Sequence, residues 1–188
     1  MGLYPLMLEL GGREIVIVGG GRVALRKYRA LQESGAHFTV ISPEINDGFE
    51  AVPEAFRWIP EKFSPELLEH PFLVLACTDN RETNSEVARC CREKRIPVSV
   101  CDDPGSSDFV FPAVVSEGSL KIAVSTCGEC PGLARQIRDE IAAEQMQRYR
   151  GLAEQAGEER RWALQSHRKK EKLEELENHI KEKLAHRE

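Results

Sequence analysis

Apolar residues enter this chain in short blocks. Four runs, IVIVG (15–19), FTVIS (38–42), FLVLA (72–76) and PVSVC (97–101), are too short for buried helices and rich in valine and isoleucine. Each therefore reads as a strand covered on both faces. Polar and apolar positions at helical spacing fill the intervals Val23 to Glu33 and Arg81 to Lys94. Strands alternating with helices in this way build βαβ units around a parallel sheet. RWIP (57–60) adds a short strand, and SPELLEH (64–70) a helical turn started by Ser64 and Pro65.

Near Pro112 the pattern changes. AVVSEGSLKIAVS (113–125) reads as two strands joined at Glu117-Gly118-Ser119, a hairpin and not another βαβ unit. A helix begins near Pro131, where Leu133, Ile137 and Ile141 recur at helical spacing. Beyond Arg148 the chain keeps helical propensity but becomes strongly polar. Residues 168–184 carry Glu/Lys pairs four apart and one thin apolar stripe, Leu173, Leu176, Ile180 and Leu184, which suits an exposed helix resting a narrow face on something else. The expected regions are 1–112, 113–147 and 148–188.

The first strand drops into three glycines and then into a helix. Gly19, Gly21 and Ala24 satisfy G-x-G-x-x-G/A in the context that gives the pattern its meaning. The first glycine permits a tight turn, the second lets backbone approach a pyrophosphate, and the alanine lets helix and strand pack closely. The N–H groups at the start of the helix then face the phosphates. This predicts a Rossmann-like domain that binds a dinucleotide. The acidic residue that would hold a ribose hydroxyl is not at the end of the second strand, where Ser42 stands. Glu44 follows two residues later and either reaches round or is a plain loop carboxylate. Its charge would repel a 2′-phosphate, which favours NAD over NADP. Two further strand ends face the same crevice: CTDNRETN (77–84), whose Thr78 and Asp79 either line the cofactor or cap the next helix, and CDDPGSSDFVFP (101–112). Asn80 and Thr83 read as capping residues.

Composition narrows the setting. The chain has 188 residues, a net charge of −5 and six cysteines. The charge argues against generic binding of nucleic acid. No apolar run approaches the roughly 20 residues that span a bilayer, and no leader stands at Met1, so a cytoplasmic protein without membrane attachment is expected. The cysteines fit a reduced compartment.

Four stretches, YPLMLELGGREIVIVGGGRVALRKYRALQESGA, ACTDNRETN, IPVSVCDDPGSSDFVFPAVV and LKIAVSTCGECPGLARQIR, together resemble the precorrin-2 dehydrogenase family, which includes the N-terminal part of bifunctional siroheme synthases. The similarity runs collinearly over about residues 4 to 145. It implies oxidation of precorrin-2 to sirohydrochlorin with NAD as hydride acceptor. It also implies an intertwined homodimer built by residues 113–147 and a small C-terminal helical domain over 148–188. Some relatives also insert ferrous iron into the product. On this sequence the family's glycine turn falls on Gly19, Gly20, Gly21, Arg22 and Val23, its second-strand contact on Ser42, Pro43 and Glu44, and its T-D pair on Thr78 and Asp79. Its important aspartate matches Asp102, with Asp103 at a more variable position.

The chemistry agrees with that assignment. Asp102 follows the strand at the crevice and is the candidate general base, although an Asp-Asp-Pro-Gly segment also suits a plain turn. A polycarboxylate substrate needs donors, and Ser125, Thr126 and Gly128 ahead of the helix at Pro131 form a candidate anion cradle with Arg135. Arg138 is a weaker candidate, equally suited to solvent. Where relatives carry small residues, this chain has Cys127 in place of a glycine and Cys130 in place of a serine. Such a C-x-x-C binds metal, or cycles as a disulfide with Cys101 as a third sulfur, or only packs. Packing is the reading adopted, and no metal ligand is assigned. His167, His179 and His186 on the polar helix read as solvated. Two alternatives remain: added ferrochelation at the same crevice, and a non-catalytic nucleotide sensor or scaffold.

Overall fold

The computed structural model describes residues 2–49 and 56–185, in two compact units, Met1–Val110 and Phe111–Glu188. The first holds β1 (Glu14–Val18), α1 (Arg22–Leu31), β2 (His37–Ile41), β3 (Phe56–Ile59), β4 (Leu73–Ala76), α2 (Arg81–Lys94) and β5 (Val98–Val100). All five strands are parallel, in the order β3-β2-β1-β4-β5. This is the α/β, Rossmann-like architecture that the alternating blocks predict.

The continuous apolar runs have a simple cause. Side chains alternate across a strand, so a sheet buried on both faces needs apolar residues at every position. Val16 and Val18 join Val74, Ala76, Val87, Ala88 and Val98 in a core cluster on one face. Ile15 and Ile17, fully buried, occupy the other. Under α1, Tyr28 packs edge-on to Phe38 with ring centroids 5.1 Å apart and also meets Phe49 and Phe56. The ladder continues one residue beyond three strands, since Gly19 donates to the Ile41 carbonyl, Cys77 to Val18 and Cys101 to Ala76. The helix expected to reach Glu33 ends sooner: α1 stops at Leu31 and tightens into a 3-10 turn, Gln32–Ser34, closed by Gly35 at φ +73°.

In the second unit β6 (Ala113–Glu117) and β7 (Leu120–Val124) form an antiparallel pair with Val115 opposite Ile122. Gly118, at φ +59°, takes the first place of the two-residue turn, where a positive φ is required. The pair packs on α3 (Pro131–Gln165), which in turn packs on α4 (Lys169–Ala185). α3 passes unbroken through the expected boundary between 147 and 148, because no proline or cap interrupts it there and Gly151 is tolerated inside a helix. The narrow stripe of α4 rests on α3, with Leu176 buried and Lys183 Nζ donating to Gln155 Oε1 at 2.7 Å.

Candidate active site

Strand order reverses at β1, so a crevice opens at the carboxyl ends of β1 and β4, where ligands of open α/β sheets bind. Each glycine there answers a separate demand. Gly19 has φ +109°, and a Cβ on it would stand 2.7 Å from the Cys77 carbonyl oxygen. On Gly20 a Cβ would stand 2.0 Å from the Glu44 carbonyl oxygen and 2.9 Å from Ser42 Oγ, so only hydrogen fits between the turn and the loop after β2. Asn46 N–H donating to the Gly20 carbonyl at 2.8 Å fixes that approach. Gly21 heads α1 with nothing within 4 Å of a Cβ position, and no side chain caps the helix. Ala24 is fully buried against the sheet. Uncapped N–H groups beside open space at a helix start suit a pyrophosphate, so these residues fit a dinucleotide.

The loop after β2 brings Ser42, Pro43 and Glu44 beside this turn. Ser42 is half-buried, its carbonyl accepting from Trp58 Nε1 at 2.9 Å, while Pro43 and Glu44 are exposed. Arg22 and Val23 are exposed on the first turn of α1. Thr78 turns inward: its Oγ1 lies 2.7 Å from Asn84 Oδ1 and 2.9 Å from the Asn80 carbonyl. Asp79 is exposed. Asn80 caps α2 by accepting from Thr83 N–H at 2.9 Å.

The two aspartates after β5 have separate tasks. Asp103 makes the turn, accepting from Gly105 N–H at 3.0 Å and Ser106 Oγ at 2.7 Å, and the Ser106 hydroxyl holds its carboxyl below the usual value. Asp102 takes no part in that turn. It is exposed, and its Oδ1 accepts from Asn84 Nδ2 at 2.8 Å.

Asn84 is the residue that sequence reasoning missed. It is 1% exposed, and its amide joins two strand ends. Oδ1 accepts from Thr78 N–H at 3.1 Å, while Nδ2 donates to the Thr78 carbonyl at 3.0 Å and to Asp102. The backbone N–H fixes which way the amide faces, so Nδ2 must point at the carboxylate. The available signal was its place on the apolar face of α2, three, four and seven residues before the buried Val87, Ala88 and Cys91.

The cradle residues lie in the second unit. Ser125 Oγ accepts from Cys127 N–H at 3.1 Å and Thr126 Oγ1 from Cys130 N–H at 3.0 Å, and Arg135 is exposed. Arg138 pairs with Asp139 at 2.6 Å. Gly128 has φ +90°, and Cys127 is held at φ +54°, the left-handed region a glycine enters without strain. Cys130 stands at the N-cap of α3 without a side-chain cap bond. Cys101, considered as a third sulfur for these two, is paired with Cys77. Among the described residues no group of three His, Cys, Asp or Glu is placed to hold a metal ion. His167 and His179 are exposed, and His186 lies outside the described residues.

A family model described as putative NAD(P)-binding matches residues 6–113, and one described as sirohaem biosynthesis protein, central, matches residues 117–144. A siroheme synthase of Tolumonas auensis is 36% identical over 158 residues, covering 84% of this chain and 34% of its own length. Siroheme synthase 2 of Aeromonas salmonicida is 38% identical over 165 residues, covering 88% of this chain and 34% of its own. The chain thus spans about a third of the length of these relatives. Among solved structures, that of SirC, a precorrin-2 dehydrogenase, is similar with a TM-score of 0.76 at 25% identity, over 94% of this chain and 88% of that one.

Proposed function

Because the chain belongs to the putative NAD(P)-binding family, continued here by the sirohaem-biosynthesis central segment, we propose that it oxidises precorrin-2 to sirohydrochlorin with NAD as acceptor. The observation that carries this reading is the juxtaposition at one sheet rim: a glycine turn shaped for a pyrophosphate, and a carboxylate, Asp102, held by a buried amide. Gly19, Gly20, Gly21, Arg22 and Val23 hold the phosphates, and Ser42, Pro43 and Glu44 the adenosine side, with Thr78 and Asp79 at the next strand end. NAD, when bound, takes the hydride that leaves precorrin-2. Asp102 takes the accompanying proton through Oδ2, because Oδ1 is already engaged by Asn84. Conjugation gained by the macrocycle supplies the driving force, so the protein's work is alignment and proton acceptance. The exposed carboxylate of Glu44 beside the turn supports NAD over NADP, since it would repel a 2′-phosphate.

Ser125, Thr126, Gly128 and Arg135 belong to this proposal as binders of the substrate's carboxylates. A homodimer through the second unit belongs to it too, supported by Val114, Leu133, Trp162, Leu164 and Leu184, all large apolar residues left exposed there. No described helix is long and apolar enough to cross a membrane. A cytoplasmic setting is supported by Cys90 and Cys91, packed into the core as thiols.

The test supplies precorrin-2 anaerobically with NAD or NADP and follows reduced coenzyme and the sirohydrochlorin spectrum together. Equal amounts of the two products, faster with NAD, are expected. Sirohydrochlorin appearing no faster than without protein would remove the reading.

A further inference from the structure

Two thiols at the rim have no task in the reaction just described. Cys77 directly follows β4 and Cys101 directly follows β5, and their Sγ atoms stand 3.0 Å apart, about 1 Å beyond a disulfide bond of ~2.05 Å. The sheet itself brings them together: Cys101 N–H donates to the carbonyl of Ala76, the neighbour of Cys77. Cys77 is buried and Cys101 exposed, so only one of the two meets solutes.

We propose that Cys77 and Cys101 are an oxidation site for peroxides, Cys101 being the attacking sulfur and Cys77 the one that resolves it. The Cys101 thiolate attacks one peroxide oxygen, the O–O bond breaks, and the leaving oxygen takes a proton. With hydrogen peroxide this yields a sulfenic acid and water. The Cys77 sulfur then attacks the sulfenic sulfur, a disulfide forms, and the expelled hydroxide leaves as water with the Cys77 proton. Two thiols lose two electrons in all, and the peroxide gains them.

Local charges favour this division of labour. The Cys77 thiol hydrogen-bonded to it pulls Cys101 down to about 7; Lys27 and Arg26 of α1 act the same way, against burial and Asp102. The same hydrogen bond, together with burial, pushes the Cys77 thiol up. Near neutral pH the exposed sulfur is therefore the more readily ionised of the two, and the thiolate is the reactive form. Cys91 offers the contrast, since burial pushes it up to about 12. The disulfide would tie together the residues that precede Thr78 and Asp102.

The reduced full-length chain is treated with one equivalent of hydrogen peroxide, alkylated, and digested for mass spectrometry without reductant. The expected product is a peptide linking Cys77 to Cys101, lighter by two hydrogens and reversed by dithiothreitol. In Cys77→Ser the reaction stops at a Cys101 sulfenic acid that dimedone captures, and in Cys101→Ser Cys77 is left unoxidised. Before oxidation, iodoacetamide at pH 7 should label Cys101 about tenfold faster than Cys127, with the labelling rate rising through a midpoint about 7. Cys77 and Cys101 remaining thiols while Cys127 and Cys130 are consumed would overturn the proposal, as would a Cys77→Ser protein whose Cys101 ignores dimedone. These readouts follow the thiols themselves and stand whether or not the dehydrogenase reading holds.

Discussion

Two strands of five residues, β1 and β7, show how differently the chain's two units are built. β1 has a strand on either side and is buried from Ile15 to Val18. β7 has one neighbouring strand, packs on α3, and alternates half-buried with exposed positions, with none fully buried. The first unit closes its own core, so it holds a glycine turn and a carboxylate in fixed geometry. The second buries no position of its strand pair fully, and the loop that follows carries the hydroxyls of Ser125 and Thr126.

Glycine substitutions separate the units most sharply. Gly20→Ala drives a Cβ into the Glu44 carbonyl, a backbone atom that cannot swing away. A loss of about 3 kcal/mol or more in stability is expected, with coenzyme binding abolished, and urea unfolding together with NAD titration measures both. Wild-type stability in that variant would mean that the loop after β2 yields easily, and the contrast in rigidity would fail.

Asn84→Ala comes next. It leaves the Thr78 N–H and the Asp102 carboxylate without their shared partner, which costs about 1–3 kcal/mol of stability. A positioning role predicts in addition a kcat lowered about tenfold with little change in KM for NAD. A purely structural role would lower stability and leave kcat alone.

In the second unit the same kind of change should be harmless or helpful. Gly151→Ala, inside α3 with open space at its Cβ position, should raise stability by about 0.5–1 kcal/mol in thermal unfolding. The smallest effect is expected at Cys127. Replacing it with glycine relieves a left-handed residue, at some entropic cost in the unfolded chain, for a net gain of about 0.5 kcal/mol.

The same contrast governs what the sequence made legible. The runs around Ile15, Phe38 and Leu73 announced buried strands because covering both faces of a sheet leaves no polar position to hide them. Gly19 and Gly21 were readable because a turn beneath phosphates tolerates little else. Gly20 was placed in the turn, but its strictest demand comes from Glu44, a contact made only once β2 lies beside β1. Asp102 and Asp103 are adjacent in sequence, and only the fold shows that Asp103 makes the turn while Asp102 faces Asn84. The pairing of Cys77 with Cys101 joins residues 24 apart through strand order, which spacing does not encode. The length of α3 was hidden for the opposite reason: a polar, half-covered helix offers no change of pattern at residue 147.

The central claim is that a coenzyme held by the glycine turn is served by one carboxylate. Single-turnover reaction of precorrin-2 with NAD, run on Asp102→Ala beside the unchanged chain, tests it most directly. The account predicts a rate lowered about 10²–10⁴-fold with NAD affinity preserved. An unchanged rate of sirohydrochlorin formation in that variant would contradict it.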